Sequence, residues 1–277
     1  MGAMSRPFLK MNGLGNDFVV VEARSEPFTP TAEEVRAIAD REHGIGCDQV
    51  IAIEPYARAD AFMRIWNADG GEVSACGNAA RCVAWLLTEA SEFSKVVIET
   101  RAGELFAERV GPKRVKVDMG KPRLDWKDIP LAEEMDTRGI ELQVGPIDDP
   151  VLHTPGCVSM GNPHVVFFVP DAEAAPVERV GSMIEHHQLF PERVNVGFCQ
   201  IVSPSRIRLR VWERGAGLTK ACGTGACAAV VAAHRRGLCA RRVIVDLDGG
   251  ELEIEWTIED YVTMTGPIEV EHTGILP

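Results

Sequence analysis

The chain has 277 residues, 45% apolar and 25% charged, the proportions of a folded protein with one large domain or two ordinary ones; disorder and coiled coil are excluded. Its 29 basic and 41 acidic residues leave a net charge of -12. That charge repels phosphate backbones and anionic lipid, so neither nucleic acid nor a membrane surface is an expected partner, while a small zwitterion in a locally cationic pocket is compatible with it.

At the start of the chain, Met1-Gly2-Ala3 ahead of Met4-Ser5 reads as a remnant of a fused tag, with Met4 as the native start. Arg6 stands where a myristoylation pattern needs Ser or Thr. No basic-then-apolar signal pattern opens the chain. Phe18 to Val21 reads as a strand. Thr31-x-x-Glu34 is a capping-box signature opening a helix expected to stop near Gly44. A strand follows at Val50 to Ile53, then a small, apolar helical stretch from Ala79 to Leu87. Val96 to Thr100 and Val115 to Met119 read as strands.

The segment Gly120 to Pro155 is richer in Pro and acid and contains a crossover. Beyond it come a strand at Val165 to Val169, a helix at Val177 to His187 and a strand at Ile207 to Trp212. The helix Ala226 to Arg236 is ended by Gly237. Its run Ala226 to Ala233 is the longest apolar stretch, eight residues, far short of a membrane span. Val243 to Leu247 and Tyr261 to Thr265 close the series as strands. Both small-residue helices are apolar nearly all round, so each is expected to be buried. Many strands with few helices make the class α+β.

The elements repeat. Ala75-Cys76-Gly77 and Ala221-Cys222-Gly223 place their cysteines 146 positions apart. The same offset carries Arg64-Ile65-Trp66 onto Arg210-Val211-Trp212, Gly15-Asn16 onto Gly161-Asn162, Gln49 onto Asn195, and Thr31–Arg41 onto Val177–His187. From Arg64 to Ala80, seven of seventeen positions are identical to their partners. Later the offset drifts by one: Gly103-Glu104-Leu105 matches Gly250-Glu251-Leu252. The period is too long for a solenoid and implies two similar lobes from an internal duplication, each with its own core.

Cys76 and Cys222 each stand just before a buried helix. A helix start offers unpaired N–H groups and partial positive charge, which favour a thiolate. The N–H groups of Gly77, Asn78, Gly223 and Thr224 can also cradle a carboxylate. A lone cysteine there reads most simply as core, but the matching positions in both repeats favour chemistry. Cys82, Cys227, Cys47, Cys157, Cys199 and Cys239 read as core, and all eight as reduced thiols. No CxxC or HxxxH spacing suggests a structural zinc site. Two equivalent acid/base groups suit inversion of a stereocentre, one removing a proton while the other delivers one to the opposite face. No dinucleotide or P-loop motif is present, and no cofactor is expected; a Schiff-base lysine stays open, with Lys220 alone near either cysteine.

Seven segments together resemble the diaminopimelate epimerase family: Gly13–Phe18, Gly44–Gln49, Asn67–Gly70, Cys76–Cys82, Gly161–His164, Val194–Val196 and Glu213–Gly225. The resemblance runs from about Phe8 to Pro267. It implies an isomerase, independent of pyridoxal phosphate, that interconverts LL- and meso-2,6-diaminopimelate in lysine and peptidoglycan precursor synthesis, as a cytoplasmic homodimer. It also implies α/β lobes, each a barrel-like sheet around its central helix, with the site in the cleft between them. The lobes would be residues 5–122 with a returning tail 268–277, and residues 123–267.

By the same resemblance, Cys76 and Cys222 are the catalytic thiols, the second taking the proton from the LL isomer and the first donating. His164 and Glu213 tune them. Asn16, Gln49, Asn67, Asn162, Asn195, Glu213 and Arg214 bind substrate, with N–H groups of Gly77, Asn78, Gly223 and Thr224 on the reacting carboxylate. Asn16/Asn162 and Gln49/Asn195 also pair across the repeat, which independently supports a shared site. Ala79 replaces a common glycine, Leu218 a frequent acid, and Cys47 a common Phe. His272 stands where an aromatic associated with dimer contacts is often found. Another amino acid epimerase of the same scaffold, or a non-catalytic amino-acid-binding protein, are the alternatives.

Overall fold

The computed structural model describes residues 6–276. The expected native start at Met4, and the outermost positions 5 and 277 of the expected first lobe, lie outside the described residues. The chain divides into two compact units. One runs through Asp118 and resumes at Thr265; the other is Met119–Met264. The expected divisions after 122 and after 267 fall a few residues later than these. Backbone pairing inside the second unit accounts for the first difference: Met119 N–H donates to Val262 O at 2.8 Å and Val262 N–H to Gly120 O at 2.9 Å.

Four helices occur among the described residues: α1 (Ala32–Ala39), α2 (Gly77–Glu89), α3 (Val177–Glu185) and α4 (Gly223–Arg235). The first unit builds its sheet from a hairpin, Pro7–Gly13 against Asn16–Glu22. The second hairpin strand pairs parallel with Gln49–Glu54 after a crossover through α1. Gln49–Glu54 pairs antiparallel with Ala61–Asn67, which pairs parallel with Lys95–Thr100 after a crossover through α2. Two antiparallel steps, Gly103–Gly111 and Arg114–Asp118, follow. The C-terminal strand Glu269–Ile275 returns to pair antiparallel with Pro7–Gly13.

The second unit repeats this connectivity. Gly156–Ser159 pairs antiparallel with Pro163–Phe168, which pairs parallel with Asn195–Ser203 after α3. Asn195–Ser203 pairs antiparallel with Arg206–Glu213, which pairs parallel with Arg242–Leu247 after α4, and Gly250–Trp256 follows antiparallel. Even the register carries the offset. Phe18 faces Gln49 and His164 faces Asn195; Val50 faces Trp66 and Val196 faces Trp212. The drift of one enters after the central helix: Ala61 faces Ile98, but Ile207 faces Val245. The result is a mixed α/β fold.

Gln49–Glu54 is buried on both faces because one side meets α1. Val19, Val21, Val50, Ala52 and Trp66 pack there with Val35, Ile38 and Ala39. Helix α2 packs on Pro7–Gly13, Lys95–Thr100, Gly103–Gly111 and Arg114–Asp118 of its own unit. Helix α4 packs likewise on Gly250–Trp256, Gly156–Ser159, Pro163–Phe168 and Asn195–Ser203. α4 is buried from Gly225 to Ala233. α2 corrects the expectation of an apolar helix, since it also buries Asn78, Arg81 and Thr88.

The capping box forms as expected: Thr31 Oγ1 accepts from Glu34 N–H, and Glu34 returns a bond to Thr31 N–H at 2.7 Å. Helix α1 ends at Ala39, not near Gly44, because the chain turns at Asp40, whose carboxylate caps the N–H groups of Glu42 and His43. In α3, Gly181 is pressed against the indole of Trp212; a Cβ there would stand 2.5 Å from its ring. Trp212 is fixed by donating Nε1–H to Glu185 at 2.8 Å. Gly181→Ala should therefore cost about 1–3 kcal/mol by overpacking, despite alanine's better helix propensity. A lowered urea midpoint with unchanged slope would show it, and an unchanged or raised midpoint would contradict it.

Candidate active site

In the first unit the strand Glu72–Val73 turns into α2 through Cys76, whose backbone is extended at φ -150°. The first helical bond is Ala80 N–H to Cys76 O at 2.9 Å. The amides of Gly77, Asn78 and Ala79 therefore have no partner within the helix. Cys76 is half-buried, and its Sγ donates toward Asn16 Oδ1 at 3.8 Å. Asn78 Nδ2 donates to the same oxygen at 3.4 Å. Asn16 in turn donates Nδ2 to Asp48 Oδ2 at 2.7 Å. On adjoining strands, Gln49 Nε2 donates to Asn67 Oδ1 at 2.9 Å. Gln49 Oε1 is buried with no hydrogen-bond partner among the described residues, an acceptor open to a ligand's N–H. The structure thus gathers Asn16, Cys76, Gly77 and Asn78, and couples Gln49 to Asn67.

In the second unit the same element order ends at Cys222, extended at φ -114° and only 4% exposed. Ala226 N–H closes the first bond of α4 on Cys222 O at 2.9 Å. Burial pushes the Cys222 thiol well up, and the nearby Glu213 carboxylate pushes it further. The Gly225 N–H and the Thr224 hydroxyl, 3.7 Å from Sγ, pull the other way. Gly225 leaves only tight room for a side chain: a Cβ would lie 3.1 Å from Cys222 Sγ and 3.2 Å from Val211, so its neighbours would have to give by a few tenths of an ångström. Glu213 is raised by its own burial, opposed by bonds from Thr219, at 2.5 Å, and from Cys222. The Cys222 thiol thus keeps its proton and donates it in a hydrogen bond to the half-buried Glu213 carboxylate.

Asn162 donates Nδ2 to Thr224 Oγ1 at 3.3 Å, and its Oδ1 lies 3.0 Å from His164 Nε2. Asn195 is buried, with both ends on main chain: Nδ2 to Pro163 O at 2.8 Å, and Oδ1 from Arg214 N–H at 3.0 Å. It therefore shapes the Arg214 backbone. The exposed Arg214 guanidinium reaches Glu192 O at 2.9 Å.

The remaining cysteines behave as core. Cys82, Cys157 and Cys199 are buried thiols raised by desolvation, and burial pushes Cys47 and Cys239 up to about 11. Sequence reasoning passed over Asp48 and Thr219 as parts of the site. Asp48 lies beside Gln49 in the segment Gly44–Gln49, but its repeat partner is Val194, so the duplication gives no signal for it. Thr219 was visible only as the neighbour of Leu218.

Solved structures share this architecture at low identity. A phenazine biosynthesis protein of the PhzF family from Enterococcus faecalis superimposes with a TM-score of 0.72 at 15% identity, over 99% of this chain and 100% of that one. A hydroxyproline epimerase from Agrobacterium vitis gives 0.67 at 16%, over 99% and 91%. The fold and site thus define a duplicated α/β scaffold with one cysteine opening the central helix of each unit. The sequence profile of the family "Diaminopimelate epimerase" matches residues 8–124 and 156–271. The diaminopimelate epimerase of Phenylobacterium zucineum is 65% identical over 275 residues, covering 99% of both chains. That of Caulobacter vibrioides is 59% identical over 283 residues, covering 99% of this chain and 98% of the relative. The chain belongs to the diaminopimelate epimerase family, a family of isomerases.

His164 is fully buried, and desolvation, helped by the Arg214 charge, lowers it from 6.5 to about 3. The unfolded chain takes up this proton near pH 6.5, whereas the folded chain does so only near 3. The stability tied to the neutral ring is thus complete above pH 6.5 and is lost as pH falls toward 3. Urea midpoints should fall across that window, and His164→Gln should flatten the fall. An identical pH profile in both proteins would refute the assignment.

Proposed function

We propose that this chain interconverts LL- and meso-2,6-diaminopimelate with two thiols and no pyridoxal phosphate, as a cytoplasmic homodimer serving lysine and peptidoglycan precursor synthesis. The observation that carries the mechanism is the placement of Cys76 and Cys222 at the same step of a repeated topology, each opening a buried helix. In the direction from the LL isomer, Cys222 passes its own proton to Glu213 and removes the α-proton as thiolate. Cys76 gives its S–H proton to the opposite face of the same carbon. The electron pair left on the α-carbon spreads into the carboxylate. The helix-start amides of Gly77, Asn78, Gly223 and Thr224 bind that developing charge. In the reverse direction the thiols exchange roles.

The polar residues suit a substrate with a second amino acid end. Arg214 offers a fork for a carboxylate, and Gln49 Oε1 an acceptor for an ammonium group. Asn16, Asn67, Asn162 and Glu213 complete the binding set, Asn195 holds the Arg214 main chain in place, and His164 and Glu213 tune the thiols.

Proton NMR of LL-diaminopimelate in D2O with the reduced enzyme tests this. Loss of one α-proton signal with formation of the meso isomer is the expected result. No exchange by a folded protein would overturn the proposal and favour another amino acid or a binding role. Cys76→Ser and Cys222→Ser should each lower kcat by at least about 10³-fold, within the range for lost acid–base catalysis, while ligand binding survives. Full activity in either would remove the two-base assignment.

A further inference from the structure

Asp48 takes no part in the chemistry above, yet it holds the residue that faces Cys76. Its Oδ2 accepts from Asn16 Nδ2 at 2.7 Å and from Asp17 N–H at 3.0 Å. Its Oδ1 accepts from Arg41 at 2.7 Å. Arg41 also grips Asp17, which pairs at 2.6 Å with the buried Lys10, and Lys10 donates to Gly46 O. Asp48 itself is thus held in place from three sides. A carboxylate only accepts hydrogen bonds, so the end of Asn16 turned toward Asp48 must be its NH2. The opposite end, the carbonyl oxygen, is the one that meets Cys76 Sγ and Asn78 Nδ2. An amide oxygen can accept from a thiol S–H and offers nothing to a thiolate.

The second unit turns the matching amide the other way. Asn162, the repeat partner of Asn16, is gripped at its oxygen by His164 and presents NH2 to Thr224. With its oxygen accepting that bond, the Thr224 hydroxyl has its hydrogen to give to Cys222 Sγ. Neither lock has a counterpart: the partner of Asp48 is Val194, and the partner of His164 is Phe18. One repeated amide, reversed by unrepeated neighbours, gives one thiol an acceptor and the other a donor.

We propose that Asp48 is a positioning residue that locks Asn16 with its carbonyl oxygen on Cys76 and so holds Cys76 as the protonated thiol, ready to donate. The inference deepens, and rests on, the reading of Cys76 as proton donor. Asp48, Asp17, Lys10 and Arg41 form the charged cluster behind Asn16, and Cys82 and Arg81 on α2 lie near Cys76. The four behind Asn16 are two acids and two bases, so their summed charge is zero. Replacing Asp48 by Asn frees the amide to reverse but also leaves that group one charge positive. Both changes favour the thiolate, so the test must separate them.

The experiment is a double-mutant cycle read by alkylation. The pH dependence of iodoacetamide labelling at Cys76 is followed by mass spectrometry of its peptide in the wild type, Asp48→Asn, Asn16→Ala and the double variant. Asp48→Asn should lower the Cys76 midpoint by about one pH unit, labelling about tenfold faster below it. Asn16→Ala should lower it likewise, and adding Asp48→Asn to Asn16→Ala should shift it little further. No shift in Asp48→Asn, or the same shift with and without Asn16, overturns the proposal, the latter because it marks a field effect alone. Should Asp48→Asn not fold, Asp48→Glu keeps the charge and misplaces the carboxylate; it should lower the midpoint too, and an unmoved midpoint again overturns the proposal. The activity of Cys76→Ser reports separately on the reading beneath it.

Discussion

A helix whose capping position is a cysteine leaves its first amides without a strong acceptor. Aspartate, serine or threonine at that position would satisfy one of them and stabilise the helix by about 1 kcal/mol. Helix α1 shows what this chain does where nothing else is required: Thr31 and Glu34 bond reciprocally, and two acids sit in the first turn. Helices α2 and α4 have Cys76 and Cys222 instead, and no acid in either first turn. Their starts keep partial positive charge, and tertiary packing must hold the helices in place. The small residues of α4, buried from Gly225 to Ala233, let the surrounding strands come close enough to do so.

Duplication places two such starts, and the differences between the units then matter as much as the likeness. The backbone registers agree at the 146-residue offset up to the central helices. The neighbours of the two sulfurs do not agree. Cys76 is half-buried and meets an amide oxygen, whereas Cys222 is buried and meets a hydroxyl, a main-chain N–H and a carboxylate. A symmetric scaffold with symmetric thiols would have no preference for which sulfur carries a proton at rest. Side chains found in one repeat only, Asp48 and His164 among them, supply one.

Much of this was legible in the sequence because a repeat doubles every signal. The two Ala-Cys-Gly segments, read together, placed both thiols at helix starts, and the capping box marked the start of α1. Strands rich in β-branched residues were legible too. Several of those not expected lack that pattern: Gly103–Gly111 has three charged residues, Asn195–Ser203 is interrupted by Gly197 and Cys199, and Glu269–Ile275 is polar and largely exposed. The last is held by its pairing to Pro7–Gly13, a contact distant in sequence that no local pattern encodes. Asn195 illustrates the same limit at the site. Its type suggests a ligand contact, but both ends of its amide are occupied by main chain, and only the fold reveals that. Asp48 was hidden for the opposite reason, because a search guided by symmetry passes over a residue that breaks it.

Burial of Cys222 at first looks opposed to its chemistry, since desolvation makes the thiolate harder to form. The same desolvation makes that thiolate a stronger base once formed, and an α-proton is a very weak acid. The proposed mechanism needs a nearby acceptor for the thiol proton, and the Glu213 carboxylate accepts a hydrogen bond from Cys222. Its carboxyl is raised by the same burial, so the difference in proton affinity between the two groups is smaller than between a buried thiol and an exposed acid. The Thr219 hydroxyl on Glu213 sets the balance from one side, and Gly225 N–H with Thr224 on the sulfur from the other. Gly225 brings its amide to the sulfur at a position where a Cβ would make a tight contact, 3.1 Å from Sγ. One main-chain N–H therefore links the helix start to the proton affinity of the thiol it carries.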